Sequence, residues 1–242
     1  MRVSLFVTCL VDQIWPSIGT SAVRVLRRAG CEVSFDPRQT CCGQPAFNTG
    51  YRKEAQVLAR HWIEIFEGAE AVVCPSGSCT AMVHHLQELF PDDGSWRERA
   101  RGVAERTHEL GSFLVNVLRV EDLGASFDGR VTWHDACHGL RDLGIKSEPR
   151  RLIGRVRGAE LVEMANAEAC CGFGGTFSVK YPEISVAILD EKIAAIEKAA
   201  VKAVVSADAS CLMQIGGRLR RKGSAVRTLH LAELLDGREA GA

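Results

Sequence analysis

The chain has 242 residues, 46% of them hydrophobic, with 30 basic and 30 acidic side chains that balance to zero net charge. That length and apolar content can bury a core or two without disulfide staples, and the neutral balance leaves no global field to steer the chain onto nucleic acid or an anionic membrane. No apolar run approaches the roughly eighteen residues of a membrane span, and Asp12 cuts the opening apolar run before it reaches the length of an export signal, so a cytoplasmic protein with reduced thiols is expected.

In chain order, residues 3–7 form a short apolar run, residues 17–29 a helix-like stretch and residues 32–35 a second strand. Residues 52–66 carry Ala55, Leu58, Ala59, Trp62 and Phe66 on one helical stripe, and residues 71–73 form a third strand. A loop at 91–95 and a linker at 122–129 follow, placing a boundary near residue 126. The second half repeats the order, with strands at 131–133, 160–164 and 203–205 and its clearest helix at 183–200. This alternation predicts an α/β fold of two homologous units, residues 1–126 and 127–242, each a small parallel sheet flanked by helices. Sites in such sheets form at the carboxyl ends of the strands.

Nine of the ten cysteines fall into that repeat. The first copy has Cys9, Cys41-Cys42-Gly43, and Cys74 and Cys79 in Cys74-Pro75-Ser76-Gly77-Ser78-Cys79; the second has Cys137, Cys170-Cys171-Gly172 and Cys211. Equivalent cysteines are offset by 128, 129 and 132 residues, and residues 72–79 align with 204–211 without a gap, with Ser206 standing opposite Cys74. Disulfides belong to oxidising compartments and small, core-poor chains. Burial as an inert small hydrophobe suits Cys31, which has no counterpart, but not four positions kept in both copies. Ligation is the remaining explanation, because soft thiolates select zinc, copper(I) and iron–sulfur clusters. Adjacent cysteines are poorly placed to bridge each other and well placed to ligate one cluster, and the glycine behind them lets the backbone turn sharply. Gly172-Phe173-Gly174-Gly175 lacks both the dinucleotide spacing and the Lys-Ser/Thr ending of a phosphate loop.

These motifs resemble the cysteine-rich "CCG" domain family, which includes a heterodisulfide reductase component, the iron–sulfur component of glycolate oxidase and lactate-utilization proteins. The two repeats cover the whole chain, and its Cys42-Gly43-Gln44-Pro45-Ala46-Phe47-Asn48 segment looks most like the lactate-utilization members. The resemblance implies five cluster ligands in the first unit, Cys9, Cys41, Cys42, Cys74 and Cys79, for a [4Fe-4S] cluster of the non-cubane type. The Cys-x4-Cys spacing departs from the Cys-x2-Cys of the heterodisulfide reductases. In the second unit Cys137, Cys170, Cys171 and Cys211 remain, enough for an ordinary [4Fe-4S] cluster or a closed zinc site.

The role so implied is that of an iron–sulfur electron-transfer subunit, not an autonomous enzyme, in an assembly oxidising L-lactate or a similar 2-hydroxy acid to the 2-oxo acid. Its partners would be co-encoded lactate-utilization proteins, one of them a larger iron–sulfur protein, with no nucleic acid and no transmembrane segment. A thiol/disulfide reductase of the heterodisulfide type and a non-catalytic zinc-bound scaffold are the alternatives.

His134 and His138 flank Cys137, close enough to ligate a metal, donate to a cluster sulfur or relay a proton; for His138 donation to a sulfur is expected. His84 and His85 suit partly solvated surface, and His108 and His230 occupy matching places in the two repeats. The basic clusters at Arg150-Arg151 and at Arg218, Arg220, Arg221 and Lys222 suit helix C-termini, with an acidic partner patch as the functional alternative.

Overall fold

The computed structural model describes residues 1–237. In the first unit β1 (Arg2–Leu5), β2 (Glu32–Ser34), β3 (Val72–Cys74) and β4 (Thr107–Glu109) form a wholly parallel sheet in the order β2-β1-β3-β4. Parallel neighbours need long crossovers, and helices supply them: α1 (Cys9–Ile14) and α2 (Pro16–Arg28), α3 (Gln44–Asn48) and α4 (Arg52–Phe66), then α5 (Gly77–His85) and α6 (Gly94–Ala104). After β4, α7 (Leu110–Ser112) runs into a π-helical turn at Phe113–Val117.

The second unit repeats the plan. Its strands β5 (Ser126–Trp133), β6 (Arg157–Leu161), β7 (Ala203–Ser206) and β8 (Arg227–His230) pair in parallel in the order β6-β5-β7-β8. Its helices are α8 (Cys137–Arg141), α9 (Ser147–Ile153), α10 (Thr176–Lys180), α11 (Pro182–Lys198), α12 (Ala209–Arg221) and α13 (Leu231–Asp236). The expected α/β class and paired parallel sheets are therefore present.

Three details depart from the sequence reading. Each sheet has a fourth strand, β4 and β8, where only three were expected; three or four residues are too few to show a period. The strand expected at 131–133 begins at Ser126, and the one expected at 160–164 spans Arg157–Leu161, an edge strand whose Arg, Gly and Glu residues hide it from an apolar pattern.

The pleat sorts the side chains between two layers. On β1 and β3, Val3, Leu5 and Val73 face a central core, while Val72 and Cys74 face an outer one with Trp62, Ile63 and Phe66 of α4. The central core is common to both units, since the same cluster takes in Val131, Trp133, Leu152, Leu231 and Leu235. A polar tie reinforces it, for α13 returns from the second sheet to lie against α2 of the first. Asp236, almost wholly buried, accepts from Ser21 (3.2 Å), Arg24 (3.0 Å) and Arg28 (3.1 Å), and Glu233 accepts from Ser17 (2.9 Å).

Arg218 and Arg150, one from each basic cluster, are engaged within the fold. Arg218 grips Asp190 of α11 with two hydrogen bonds of 2.8 and 2.6 Å. Arg150 spans buried Asp135 (2.9 and 2.7 Å) and Glu163 (2.6 and 3.1 Å). Among the described residues no helix is long and apolar enough to cross a membrane.

Replacing Asp236 with alanine deletes the acceptor shared by Ser21, Arg24 and Arg28. Urea unfolding should then show a loss of about 1.5–3 kcal/mol, the range for hydrogen bonds to a charged group. A variant as stable as the parent would mean that α13 does not tie the units together.

Candidate metal centre

The cysteines reach the carboxyl edge of each sheet by the same three routes. Cys9 and Cys137 are the first residues of α1 and α8, Cys41-Cys42 and Cys170-Cys171 lie in the loops between the edge strand and the next helix, and Cys79 and Cys211 are the third residues of α5 and α12. Cys79 and Cys211 thus sit in the first turns of helices of 9 and 13 residues, where backbone N–H groups are left without helical partners.

The glycine of each triplet takes a left-handed conformation, Gly43 at φ 85° and Gly172 at φ 81°, which L side chains adopt at a cost. That turn aims its N–H back at the first cysteine of the pair. Gly43 donates to Cys41 Sγ at 3.4 Å and Gly172 to Cys170 Sγ at 3.2 Å. The thiols also contact one another, Cys9 donating to Cys41 at 3.8 Å and Cys171 to Cys211 at 3.2 Å.

These contacts sort the thiols into donors and acceptors, with Cys41 and Cys170 as acceptors in matching places. The Cys42 and Cys9 thiols and the Gly43 amide together hold Cys41 down at about 3. Cys137, Cys171 and the Gly172 amide hold Cys170 down at about 2. The Cys171 thiol, helped by the nearby His134 ring, lowers Cys211 to about 6 in spite of burial. Cys9 and Cys137 are raised by donating to Cys41 and Cys170, and Cys42 and Cys171 by donating to their neighbours in the pair. In each unit the hydrogen bonds thus favour the thiolate at one cysteine, Cys41 or Cys170, the form in which cysteine is a ligand.

Eight of the nine cysteines line one cavity of about 240 Å³ between the units: Cys9, Cys41, Cys42 and Cys79 from the first, and Cys137, Cys170, Cys171 and Cys211 from the second. The structure does not bring Cys74 to it. Cys74 ends β3 on the outer face, wholly buried with Phe6, Trp62 and Phe66, and burial raises its thiol. Its counterpart Ser206, equally buried, donates to the carbonyl of His134 at 3.1 Å. The asymmetry of five cysteines against four in the sequence thus becomes four against four at the cavity. Cys31 is buried in the central core, away from the cavity lining.

The two halves are held together at the cavity floor. Asp208 of the second unit, buried, accepts from Ser76 Oγ (2.7 Å), Ser78 Oγ (2.7 Å) and the Ser78 amide (3.2 Å) at the start of α5 in the first. Gly77 makes the approach possible, because a Cβ there would come within 3.1 Å of Gly139 Cα and of the Asp208 carboxylate. His230 adds a bond from the second unit to the Pro75 carbonyl at 3.1 Å. The sequence singled out neither Asp208 nor Ser76; their equivalent places in the gap-free 72–79 and 204–211 segments were the available signal.

His138 lines the cavity, with Nδ1 2.6 Å from Asp142. His134 is buried, and among the described residues Nδ1 and Nε2 have no nitrogen or oxygen hydrogen-bond partner. Its ring nitrogen lies in a group with the Cys171 and Cys211 sulfurs, all within 4.8 Å of one another.

A parallel α/β repeat with thiolate clusters facing one cavity defines a class, and comparison with known proteins places the chain within it. The chain belongs to the CCG cysteine-rich domain family, whose model matches residues 3–84 and 131–216. It is 48% identical over 239 residues to lactate utilization protein A of Halalkalibacterium halodurans, covering 99% of this chain and 98% of that protein. It is 50% identical to the protein of that name from Anoxybacillus flavithermus and 47% identical to that of Bacillus subtilis, each alignment covering 98% of this chain and 100% of the relative. The crystal structure of a hypothetical protein from Helicobacter pylori shares the fold at a TM-score of 0.63 and 11% identity, with 99% of this chain spanning 49% of that one.

The two triplet glycines differ in one respect that can be measured. A Cβ on Gly43 meets Leu58 at an ordinary 3.5 Å, whereas one on Gly172 falls 2.4 Å from the backbone oxygen of Ser185. Gly43→Ala should therefore cost only the left-handed strain of about 1–2 kcal/mol, and Gly172→Ala distinctly more. Equal losses in thermal unfolding of the two variants would contradict this geometry.

Proposed function

We propose that the chain carries two iron–sulfur centres, one per unit, and passes electrons as a subunit of a multi-protein lactate-utilization system. One arrangement supports this reading most directly: two sets of four thiols face a common cavity. Four thiolates are a sufficient ligand set for a [4Fe-4S] cluster, and the soft donor set favours iron–sulfur or zinc over harder metals. When bound, such clusters accept and release single electrons. The chain's own residues fix where they sit. Cys9, Cys41, Cys42 and Cys79 would hold the first centre, and Cys137, Cys170, Cys171 and Cys211 the second.

The substrate belongs to the system as a whole. The relatives carry lactate utilization in their name, and oxidation of L-lactate to the 2-oxo acid releases two electrons that two one-electron centres can take up. The partners, among them a larger iron–sulfur protein, would supply substrate binding. We place the chain in the cytoplasm, with its thiols reduced.

A thiol/disulfide reductase is the second reading, favoured by access. Cys170 is exposed, and Cys9, Cys41, Cys79 and Cys137 are only half-buried, so a small disulfide could approach the cavity. A shift of the visible spectrum on adding thiols would favour it.

Cysteine variants test the ligand sets. Cys41→Ser or Cys42→Ser should remove roughly half the bound iron and abolish lactate-dependent reduction of the protein in the presence of its partners. Cys31→Ser and Cys74→Ser should keep both centres. Loss of iron from Cys31→Ser, or full retention in Cys42→Ser, would break the assignment.

A further inference from the structure

The two units are nearly superimposable in plan but not in what backs their thiols. In the first, Phe6 stacks edge-on against Trp62 and Phe66, with centroids 5.5 and 5.6 Å away, and seals the region behind Cys42 and Cys74 with hydrocarbon. Cys9 corresponds to Cys137, so Phe6 corresponds to His134 three residues earlier. α4 and α11 share one pattern of buried and exposed positions, which sets Trp62 opposite Lys192 and Phe66 opposite Ile196. Where one unit has two aromatic rings, the other has an imidazole and an amine.

The amine is accounted for. Lys192 Nζ donates to the carbonyls of Asn166 (2.7 Å) and Ala167 (3.1 Å) in the loop that leads to Cys170. The imidazole is not. His134 is 1% exposed, and among the described residues its ring nitrogens have no nitrogen or oxygen partner; the Cys211 sulfur beside the ring is the group they act on. Buried polar atoms are nearly always paired, so an orphaned imidazole needs a reason. Nothing about the backbone forces it there: the His134 amide bonds Val205 and its carbonyl accepts from Ser206. The segment is also rigid, because Trp133 Nε1 bonds Asp135 (2.7 Å) and Asp135 is gripped by Arg150. The pleat turns Val131 and Trp133 to the central core and His134 to the other face, among Cys171 and Cys211.

We propose that His134 is a nitrogen ligand of the second metal centre, together with Cys171 and Cys211, so that the chain holds one all-thiolate centre and one mixed imidazole–thiolate centre. A metal at the focus of these three atoms supplies the partner that the imidazole lacks. Imidazole coordinates both iron–sulfur clusters and zinc. Because His134 stands opposite Phe6 and not opposite a cysteine, the imidazole is a ligand the first unit cannot match, and nitrogen ligation in place of or beside thiolate shifts the reduction potential of a redox centre.

The inference rests on the proposal that the second unit binds a metal, and the test separates the two. Protein grown with ¹⁵N-histidine is purified without air, its iron, zinc and sulfide are measured, and the dithionite-reduced centres are examined by pulsed electron paramagnetic resonance; if the metal is zinc, X-ray absorption at the zinc edge takes its place. The expected result is a ¹⁵N-histidine coupling, or imidazole scattering at zinc, that is lost in His134→Phe. In His134→Cys the metal stays and the nitrogen signature goes. Metal present in the native chain with no histidine nitrogen on it overturns the ligand assignment alone, as does a signature that survives in His134→Phe. A chain without metal overturns both proposals.

Discussion

The cavity between the units exists because Asp208 reaches across their boundary to the start of α5. A buried carboxylate is costly unless it is hydrogen-bonded, and here Ser76, Ser78 and the Ser78 amide meet that need. The bonds also supply a helix N-terminus with the negative charge it favours. Ser76 and Asp208 occupy equivalent places in the two repeats, so the contact joins matching segments of the two units. It fixes α5 against α8 at Gly77 and Gly139 and brings Cys79 and Cys211 to the same cavity. The shared hydrophobic core and the α2–α13 tie serve the same end, since a repeat that hinged open would part the two thiol sets.

Duplication then allowed the sites to differ. The Cys-Cys-Gly turn is copied down to its N–H···S bond and the low thiolate at the first cysteine of the pair. What changed is the layer behind it, apolar in the first unit around Phe6 and Trp62, polar in the second around His134 and Lys192. Hydrogen bonding, charge and burial around a cluster tune its potential, so such a difference is what two non-equivalent electron carriers would require.

Much of this was legible in the sequence because the repeat reads twice. Cysteines that recur with offsets of 128 to 132 residues mark two units, and strand–helix alternation gives the parallel α/β class. The cysteine loops follow strands, so their convergence on one edge was also foreseeable. The fourth strands were not, since Thr107–Glu109 and Arg227–His230 are held by pairing with β3 and β7 rather than by an apolar pattern of their own. Cys74 is the one repeat cysteine absent from the cavity lining, because the strand pleat, which residue type does not show, decides which way a side chain points. Ser206 at the equivalent position was the clue that the fold needs no sulfur there. That both thiol sets share one cavity depends on how two units pack, which no local pattern encodes.

The central claim is that both thiol sets hold iron–sulfur clusters, and the direct test is the iron, zinc and acid-labile sulfide content of the anaerobically purified chain, read with its visible spectrum before and after dithionite. Iron and sulfide in equal amounts, at about eight of each per chain for two [4Fe-4S] clusters, with a brown absorbance that bleaches on reduction, is the result the account predicts. Zinc without sulfide, in a colourless protein indifferent to dithionite, would contradict it.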